Sequence, residues 1–334
     1  MEKVIIRQNN PKISILLSVF NGEKYICESI NSILDQIYKN YELIIIDDGS
    51  TDNTIELIKS YDDDRIIFLK NNINLGLTQS LNIGLDHCNG DYIARLDVGD
   101  IMAKKRLDKQ LKYLELHSNI AVVGSYFTCI DDIGNKIGEI KWPVGIKYNI
   151  FRSFYGENPV GHPGVLMRKD VILKLGKYRE KFDFSQDIDL WLRMYSMGYL
   201  IDNIPEKLTH YRVIKNSIST MYNSKQQFYQ RLAFYDYYNK LTGFVSESKI
   251  INSYLDLLLY KSKKINYEDI KFIMSIFSTL HYRFNKTLNL PFDNQYYYSL
   301  LGNNFNLNKY LNFHIYKNCW IFFPSIMKKI FAIK

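Results

Sequence analysis

Apolar and polar positions alternate along the first half of the chain in blocks that predict an α/β fold. Continuous apolar runs of strand length, typical of strands buried on both faces, take turns with segments of helical spacing. The predicted strands are Ile13–Val19, Leu43–Ile46, Ile66–Leu69, Tyr92–Leu96, Ala121–Thr128 and Val165–Met167. The predicted helices are Glu23–Ile37, Thr54–Ser60, Leu77–Cys88, Lys104–Leu116, Lys169–Leu175 and one that begins near Ser185. This alternation predicts a Rossmann-like, mostly parallel central sheet with helices on both faces.

The pattern changes towards the end of the chain. A polar stretch around residues 131–145 is expected to form a loop, and after Ser219 the spacing becomes that of moderately amphipathic helices rich in Tyr, Asn and Lys. The 334 residues are enough for two domains. We therefore expect an α/β domain over residues 1–222 and a mainly helical region over residues 223–334.

The charge distribution separates the same two parts. The net charge is +8, and the segment Gln226 to Lys334 alone holds 14 Lys and Arg against 6 Asp and Glu. Nucleic acid or an anionic membrane surface could bind such a segment. The basic residues are interleaved with apolar ones such as Trp320 and Phe322, which disfavours nucleic acid and suits a membrane interface. A C-terminal helix packed on the first domain is the alternative.

The remaining composition points to a cytoplasmic protein. The four cysteines are scattered without a CxxC pair, which predicts reduced thiols rather than a zinc site. The N-terminus is too short and polar for a signal peptide, and no run approaches the roughly 18 apolar residues of a transmembrane helix. At most we expect peripheral contact with the inner face of the cytoplasmic membrane.

Carboxylates follow two of the predicted strands. Asp48 comes after the second strand, and Asp97 and Asp100 end the fourth in the stretch DYIARLDVGD. Ligands of such sheets bind at the carboxyl ends of the strands. Two close carboxylates can hold a divalent cation that in turn holds a diphosphate. Turn formation and helix capping are the alternative roles of these residues.

Two later stretches also carry candidate chemistry. Asp187 lies near the start of a predicted helix, where it can act as a general base or simply stabilise the helix dipole. The stretch His210-Tyr211-Arg212 suits phosphate oxygens. A dinucleotide-dependent oxidoreductase is disfavoured, because the first predicted strand is followed by Phe20-Asn21-Gly22 and not by a GxGxxG turn.

Five ordered blocks resemble family 2 glycosyltransferases, which have the GT-A fold. The blocks are SVFNGEKYICESINSILDQIYKNYELIIIDDGSTDNT, NLGLTQSLNIGLDHCNGDYIARLDVGDI, GHPGVLMRKDVILKLGKY, SQDIDLWLRM and HYRVIKNSIS. The general layout is similar to bacterial lipooligosaccharide and capsule glycosyltransferases. The resemblance covers residues 11 to 220. It implies an inverting transfer of a hexosyl or N-acetylhexosaminyl group from a UDP-sugar to a glycan or lipid-linked acceptor.

The resemblance also implies roles for individual residues. Ser18 and Asp48 would contact the uracil end of the donor, and Asp97 would lie by the diphosphate with Mn²⁺ or Mg²⁺. Asp187 matches the catalytic base. Arg212 would supply a second positive charge at the diphosphate, while His162 and Arg168 are candidates for orienting the sugars.

The chain departs from the family pattern at one position of the acidic motif. The family usually reads Asp-Ala-Asp-Asp where this chain has Asp97-Val98-Gly99-Asp100. Gly99 offers no side-chain oxygen to a cation. Three interpretations stay open: Asp100 is the second ligand, Asp97 holds the cation with water and phosphate oxygens, or the site binds the donor weakly or not at all. The last would make the protein a catalytically impaired sugar-nucleotide or glycan-binding protein.

Overall fold

A mixed sheet of nine strands lies at the centre of the part of the chain that the structure describes. The structure is a computed structural model, which describes residues 12–146 and 158–214 and the single positions 149, 153, 226, 229, 230, 233, 236 and 237. The strands are β1 (Ile13–Val19), β2 (Tyr41–Asp47), β3 (Ile66–Lys70), β4 (Tyr92–Asp97), β5 (Ile101–Met102), β6 (Ile120–Ile130), β7 (Lys136–Ile140), β8 (Leu166–Arg168) and β9 (Leu200–Arg212). The helices are α1 (Ile26–Leu34), α2 (Thr54–Lys59), α3 (Leu77–His87), α4 (Arg106–Leu116), α5 (Lys169–Lys174) and α6 (Gln186–Ser196).

The strand order explains how the sheet is built. It runs β3-β2-β1-β4-β8-β6-β9-β5, and β7 pairs with β6 beside this path. The first four strands are all parallel, β8 is antiparallel to both of its neighbours, and β6 and β9 are parallel. The predicted α/β sheet is confirmed: the first four predicted strands are parallel to one another, whereas β8, which was also predicted from an apolar run, is antiparallel.

Helices cover both faces of the sheet. Alternate residues of β1, β2 and β4 form one buried cluster with α1, α2 and α4. On the other face α3 packs closely through Gly84, where an added Cβ would lie 2.7 Å from Ile46 Cδ1 and 2.8 Å from Leu16 Cδ2. Each fully buried aliphatic side chain stabilises the fold by about 1.5–3 kcal/mol. A shift of one residue in the strand pairing would turn the buried side chains to the opposite face of the sheet. This burial therefore fixes the strand register.

Three strands were not predicted from the sequence: the two-residue β5, β7 and β9. The polar stretch 131–145, predicted as a loop, contains β7, whose residues are exposed or half-buried. No strand was predicted over β9, because buried polar residues interrupt its apolar pattern. Asp202 accepts hydrogen bonds from Tyr113 Oη (2.7 Å) and Gly145 N (2.7 Å), and the Asn203 amide nitrogen donates to Pro159 O (2.9 Å). Asn203 Oδ1 has no hydrogen-bond partner among the described residues.

Strand β9 brings the distant stretch His210–Arg212 to the acidic motif. It pairs antiparallel with β5, with Ile101 opposite His210 and Met102 opposite Thr209. Since β5 follows Asp100 directly, Arg212 lies beside the turn that ends β4. The end of this strand is therefore part of the wall around the predicted site.

Several predictions fall outside the described residues. These are the domain boundary near residue 222, the helical region 223–334 with its aromatic and basic tail, and the stretch Asn216–Ser219. Within the described ranges, none of the helices has the length and hydrophobicity needed to cross a membrane. Cys27, Cys88 and Cys129 are free thiols, as predicted.

Candidate active site

The carboxyl ends of β1 and β4 bring two predicted donor-site residues together. Ser18 and Asp97 are direct partners in the parallel pairing of these strands, so their side chains lie on the same face. This is the face on which α3 packs, opposite the main buried cluster. The Asp97 side chain is 40% exposed, which makes it the accessible acid of the motif. The strand ends thus present a hydroxyl and a carboxylate to one cleft.

A buried arginine holds the Asp97 carboxylate. Arg95 precedes Asp97 by two residues on the same face of β4 and is 2% exposed. Its Nη2 donates to Asp97 Oδ1 at 2.5 Å and its Nη1 to Asp97 Oδ2 at 3.1 Å. Such two-point, charge-assisted pairs are among the strongest hydrogen bonds in proteins. The orientation of the Asp97 carboxylate is therefore fixed by its own strand.

Asp100 is a buried acid, unlike Asp97. It is 2% exposed, and its Oδ1 accepts the backbone N–H of Arg212 at 2.9 Å. Within the part of the chain that the structure describes, its Oδ2 has no hydrogen-bond partner. Burial and then the charge of Asp97 raise the pKa of the Asp100 carboxyl well above its ordinary value. Asp100 is thus less suited than Asp97 to hold a cation at the surface of the cleft.

The acidic turn offers few ligands to a divalent cation. Gly99 adopts a φ of 98°, a conformation that L side chains rarely take. Among the residues described, no group of three or more His, Cys, Asp or Glu could hold a metal ion. Mg²⁺ is commonly bound by one or two carboxylates together with substrate phosphates. Asp97, with the unpartnered Oδ2 of Asp100 behind it, fits a cation that is held mainly by a diphosphate and water.

Asp48, the acid after β2, is bonded to the protein itself. Its Oδ1 accepts from Asn71 Nδ2 (2.8 Å) and Leu75 N (2.9 Å), and its Oδ2 accepts from Gly76 N (2.9 Å). The carboxylate thereby fastens the segment between β3 and α3 to the end of β2. Asp48 lies at the carboxyl ends of the strands, where it fixes the backbone segment that borders the predicted uracil site.

Arg212 lies at the acidic turn, but its charge is turned away from the cleft. It is buried, its Nε donates to Gly99 O at 2.9 Å, and its Nη2 pairs with Glu28. Its Nη1 donates to Asp131 O (2.8 Å) and Asp132 O (3.0 Å). This arginine therefore ties the turn to α1 and to the loop between β6 and β7. The positive charge nearest Asp97 belongs to Arg95.

Asp187, the predicted base, is the second residue of α6. Its Oδ1 accepts the backbone N–H of Ile188 and its Oδ2 accepts Asn158 Nδ2, both at 2.8 Å. Burial raises the pKa of the Asp187 carboxyl, and these two hydrogen bonds and the charge of Arg95 oppose that rise. A half-buried carboxylate with a raised pKa is suited to accept a proton near neutral pH.

His162 lies beneath this region in an aromatic cluster. Its Nε2 is 2.8 Å from Tyr178 Oη, and its ring meets Trp191 edge-on at 5.7 Å. Burial, with the charge of Arg95, lowers the pKa of His162 well below its ordinary value, so the ring is neutral. Burial raises the pKa of Tyr178, which also responds to Arg95, Asp187 and Asp97. His162 therefore supports Tyr178 and packs on α6 through Trp191.

The structure places Arg168 away from the other predicted residues. It pairs with Tyr92 at the beginning of β4, the end opposite Asp97. Its guanidinium donates to Ile120 O (2.9 Å) and Leu114 O (2.5 Å) and lies 5.6 Å from the Tyr92 ring. The predicted role of Arg168 in orienting sugars does not fit this position, because the residue caps the end of α4 instead.

Three residues of the site were not singled out from the sequence: Arg95, Asn158 and Tyr178. Arg95 had a usable signal, since a charged residue at a buried position of β4 needs a partner and Asp97 follows on the same face. Asn158 and Tyr178 had none, because their relation to Asp187 depends on how loops distant in sequence meet.

Comparisons with known proteins agree with this geometry. The family model for Glycosyl transferase family 2 matches residues 14–176. An uncharacterized glycosyltransferase of Methanocaldococcus jannaschii is 36% identical over 250 residues, which are 73% of this chain and 83% of that protein. The O-antigen biosynthesis glycosyltransferase WbnJ of Escherichia coli is 36% identical over 210 residues, 61% of this chain and 81% of WbnJ.

Two solved structures share the fold. The S. aureus TarS 1-349 complex with UDP-GlcNAc has a TM-score of 0.56 at 15% identity and covers 93% of this chain and 81% of that chain. The mannosyltransferase PcManGT from Pyrobaculum calidifontis, in complex with GDP-Man and Mn²⁺, has a TM-score of 0.50 at 13% identity and covers 86% and 89%. The resemblance inferred from the five sequence blocks is confirmed, and the chain belongs to glycosyl transferase family 2 as a glycosyltransferase.

Proposed function

We propose that this glycosyltransferase moves a hexosyl or N-acetylhexosaminyl group from a UDP-sugar to a hydroxyl of a glycan acceptor, with inversion at the anomeric carbon. The acceptor would be a growing bacterial surface polysaccharide, such as a capsule or a lipooligosaccharide. The similarity to WbnJ supports the acceptor class. The TarS complex with UDP-GlcNAc supports the donor class.

One observation carries the proposal. Asp187 is held at the start of α6 by Asn158 and by the N–H of Ile188. The loop just before α6 is bound to the first turn of α3, where Thr78 Oγ1 donates to Asp183 Oδ1 at 3.0 Å. Because α3 packs on the face of the sheet that carries Asp97, the start of α6 lies at that face too. A donor diphosphate beside Asp97 would place its sugar towards Asp187, which is the arrangement that a direct displacement needs.

The reaction follows from these positions. Asp187 accepts the proton of the acceptor hydroxyl as its oxygen attacks the anomeric carbon. The bond between that carbon and the diphosphate oxygen breaks with its electron pair, so UDP leaves and the new glycosidic bond has the opposite configuration. Ser18 and the wall fastened by Asp48 lie where the nucleoside would bind. Arg95 contributes a fixed positive charge close to the leaving group.

A divalent cation would be held by Asp97, with Asp100 behind it. PcManGT carries Mn²⁺ in its complex, which supports a cation here. When bound, Mn²⁺ or Mg²⁺ would neutralise charge that develops on the diphosphate. The contacts available on the protein are few, so most of the cation's ligands would come from the diphosphate and water.

Calorimetric binding of UDP tests the donor site. With Mn²⁺ present we expect UDP to bind the enzyme more tightly than without it, and Asp97→Ala to remove that gain. Asp91→Ala is the matched control, because Asp91 is an exposed residue just before the other end of β4. Equal affinity for UDP with and without Mn²⁺ would contradict the proposed role of a cation at the donor site. No UDP binding at all would contradict a UDP-sugar as the donor.

Sugar transfer tests the base. Asp187→Asn should keep UDP affinity and lower kcat by about 10²- to 10⁴-fold, the usual contribution of a positioned general base. Proton NMR of the first product formed from a UDP-sugar of known anomeric configuration reports inversion or retention. Retention would contradict the direct displacement.

A second candidate function is a catalytically impaired sugar-nucleotide or glycan-binding protein. Gly99 favours it, since it removes a usual side-chain ligand from the acidic motif. Binding of UDP-sugars without turnover, unchanged in Asp187→Asn, would support this function over the enzyme.

We also propose a cytoplasmic enzyme whose basic, aromatic tail contacts the inner face of the membrane and so reaches a lipid-linked acceptor. The interleaved Lys and aromatic residues of residues 317–334 support this location. Flotation with anionic and with neutral vesicles tests it. Enrichment on anionic vesicles alone is expected, and absence from both would contradict membrane contact.

A further inference from the structure

The α5–α6 loop, residues 175–185, leads directly into the turn of α6 that carries Asp187. Two of its non-glycine residues, Lys177 and Phe184, have positive φ values of 59° and 68°. A side chain in this left-handed region is strained, and such conformations persist only where the surrounding structure fixes them. Contacts from outside the loop must therefore hold it in the shape that places the start of α6.

Helix α3 provides several of these contacts. Thr78 Oγ1 donates to Asp183 Oδ1 at 3.0 Å. Asn82 binds the backbone of Tyr178 in both directions, since its Nδ2 donates to Tyr178 O at 2.8 Å and its Oδ1 accepts from Tyr178 N at 3.1 Å. Two more pairs follow along the helix: Gln79 with Glu180, and Asp86 with Lys177. Because these α3 residues are spaced by helical turns, one side of α3 runs along the loop.

Among these contacts, the hydrogen bond between Thr78 and Asp183 is the nearest in sequence to the proposed base. Asp183 precedes Asp187 by four residues, and Thr78, the second residue of α3, is 2% exposed. Because the Thr78 side chain is buried, water cannot readily take the place of its hydroxyl. The end of the loop that joins α6 thus depends on this hydroxyl for its attachment to α3.

The first turns of α3 are themselves fixed at the donor end of the site. The Asp48 carboxylate accepts the N–H groups of Leu75 and Gly76 just before the helix. The buried Asn71 donates from Nδ2 both to Asp48 Oδ1 at 2.8 Å and to Ser80 Oγ of α3 at 2.9 Å. A series of direct contacts therefore runs from the end of β2 through α3 to the α5–α6 loop.

We propose that Thr78 is a positioning residue for sugar transfer: its hydroxyl fixes the α5–α6 loop to α3 and so sets the position of Asp187 relative to the donor end of the site. Thr78 acts through Asp183 and takes no part in the chemistry itself. The role of Asp187 in this inference rests on the proposed function. The attachment of the loop to α3 is a property of the folded protein alone.

Four variants test the hydrogen bond from both of its sides. Thr78→Val removes the hydroxyl at almost constant volume, and Thr78→Ser keeps it. Asp183→Ala removes the acceptor, and Asp183→Asn keeps a side-chain oxygen that can accept the same hydrogen bond. Because Asp183 is only half-buried, Asp183→Ala still tests the contact if Thr78→Val does not fold.

Two controls separate this contact from a general loss of stability. Tyr61→Phe removes a hydroxyl that donates to Asn31 Oδ1 at 3.0 Å and to Cys27 O at 3.1 Å, on the face of the sheet opposite α3. Gln79→Ala removes the solvent-exposed contact of α3 with Glu180 in the same loop. Water can replace that contact, so its loss should have little effect.

The first measurement is the backbone hydrogen exchange of peptides that span residues 177–185, which needs no catalytic activity. Thr78→Val and Asp183→Ala should each speed this exchange at least about 5-fold, the effect expected of a lost buried hydrogen bond. Thr78→Ser, Asp183→Asn and both controls should exchange like the wild type. Unchanged exchange in Thr78→Val and Asp183→Ala would overturn the attachment of the loop through Thr78.

The second measurement separates kcat from the KM for the donor. Thr78→Val and Asp183→Ala should lower kcat at least about 10-fold while donor KM and UDP affinity stay within about 2-fold, because only the base is displaced. Thr78→Ser and Asp183→Asn should restore kcat. The double variant that combines Thr78→Val with Asp183→Ala should be no slower than either single variant, since both remove the same contact. Losses that multiply, or that Thr78→Ser does not restore, would overturn the positioning role.

The two hypotheses fail in different ways. If Asp187→Asn remains fully active, the proposed base is wrong, while hydrogen exchange still decides whether Thr78 holds the loop. If Asp187→Asn is nearly inactive but Thr78→Val transfers sugar as fast as Tyr61→Phe does, the proposed function stands and the positioning role of Thr78 is overturned.

Discussion

Asp189 and Asp236 bind the same arginine side chain. Arg179 donates from Nε to both oxygens of Asp189 at 3.0 Å, and its Nη2 lies 2.8 Å from Asp236 Oδ2. Asp189 belongs to α6, two residues after the proposed base, whereas Asp236 follows β9 by more than twenty residues. The helix that carries Asp187 is therefore fastened to a later part of the chain through one guanidinium.

We expect Asp236→Asn to loosen α6. Asp236 is almost fully buried and also binds Lys181 Nζ at 3.0 Å, so loss of its charge should lower the free energy of unfolding by about 1–3 kcal/mol. The kcat of Asp236→Asn should also fall while its UDP affinity stays unchanged, because the lost ion pair holds α6, which carries Asp187, and does not touch Asp97. Asp64→Asn, at an exposed position between α2 and β3, is the control.

The effect of Asp236→Asn should depend on pH. Burial raises the pKa of Asp236, but Lys181 and Arg179 outweigh it and hold the pKa below the ordinary value of 3.8. The stabilisation is thus present above the unfolded-state pKa and is lost as pH falls through the folded-state value. Urea titrations should show the largest difference between the two proteins at neutral pH. A difference that grew in acid would contradict the ion pair.

Asn158→Ala should change the pH profile of transfer rather than only its rate. The hydrogen bond from Asn158 to Asp187 favours the ionised carboxylate. Without it the pKa of Asp187 rises further, so the acid limb of kcat/KM should move to higher pH. Activity measured well above that limb should recover much of the loss.

Asn89→Ala provides the comparison for Asn158→Ala. Asn89 precedes β4 and hydrogen-bonds Glu42 through its backbone, away from both Asp97 and Asp187. It should leave the acid limb in place. If the two variants gave the same profile, the Asn158 amide would not act on Asp187.

Gly49 and Gly76 allow the cost of a close backbone contact to be measured. Both have positive φ, 78° and 89°, so alanine is strained at each by about 1–2 kcal/mol. At Gly49 an added Cβ would also lie 2.7 Å from Ile73 C and 2.9 Å from Asn74 N, whereas nothing lies within 4 Å at Gly76. Gly49→Ala should therefore lower the free energy of unfolding by a further ~1–3 kcal/mol. Equal losses in thermal unfolding would contradict this close approach.

Gly99→Asp tests how much a carboxylate at this position would strengthen Mn²⁺-dependent UDP binding. A Cβ at Gly99 would have room, because its nearest neighbours are 3.6–3.8 Å away, but the φ of 98° strains any side chain. Gly99→Ala carries the same strain without the carboxylate. Relative to Gly99→Ala, we expect Gly99→Asp to tighten Mn²⁺-dependent UDP binding by about 10-fold, or ~1.4 kcal/mol. No gain would show that a carboxylate at this position cannot reach the cation.

The sequence predicted the parallel half of the sheet because those strands are buried on both faces. Continuous apolar runs such as Ile13–Val19 predict a buried strand and not a loop, and β1 has the predicted limits. Strand β7 has no such run, since its residues face solvent or a shallow interface. Strand β9 is buried over residues 201–204 but carries Asp202 and Asn203 there, whose hydrogen-bond partners come from α4 and from loops distant in sequence. Hydrophobic periodicity alone cannot detect a strand whose buried polar residues find their hydrogen-bond partners in other parts of the chain.

A site residue could be predicted where its position depends on a single strand or helix. Asp97 follows a strand and Asp187 opens a helix, so each could be placed by its own segment. Arg212 was expected to face the diphosphate, and the sequence does not show that Glu28, Gly99 and two carbonyls of the β6–β7 loop surround it. Which way a long side chain turns depends on neighbours far along the chain.

The position of β9 between β6 and β5 has a consequence during synthesis on the ribosome. Domains generally begin to fold from the N-terminal side as the chain emerges. Strands β1 to β4 can pair as soon as Asp97 has left the exit tunnel, but β5 has its partner only in residues 209 and 210. Until about a hundred further residues have been translated, the acidic turn is held by α1, where Ser29 Oγ donates to Asp100 O and accepts the Gly99 N–H, both at 2.9 Å, without the strand that later pairs with β5. The part of the candidate site that β9 contributes is therefore added only after α6, the helix that carries Asp187, has been synthesised.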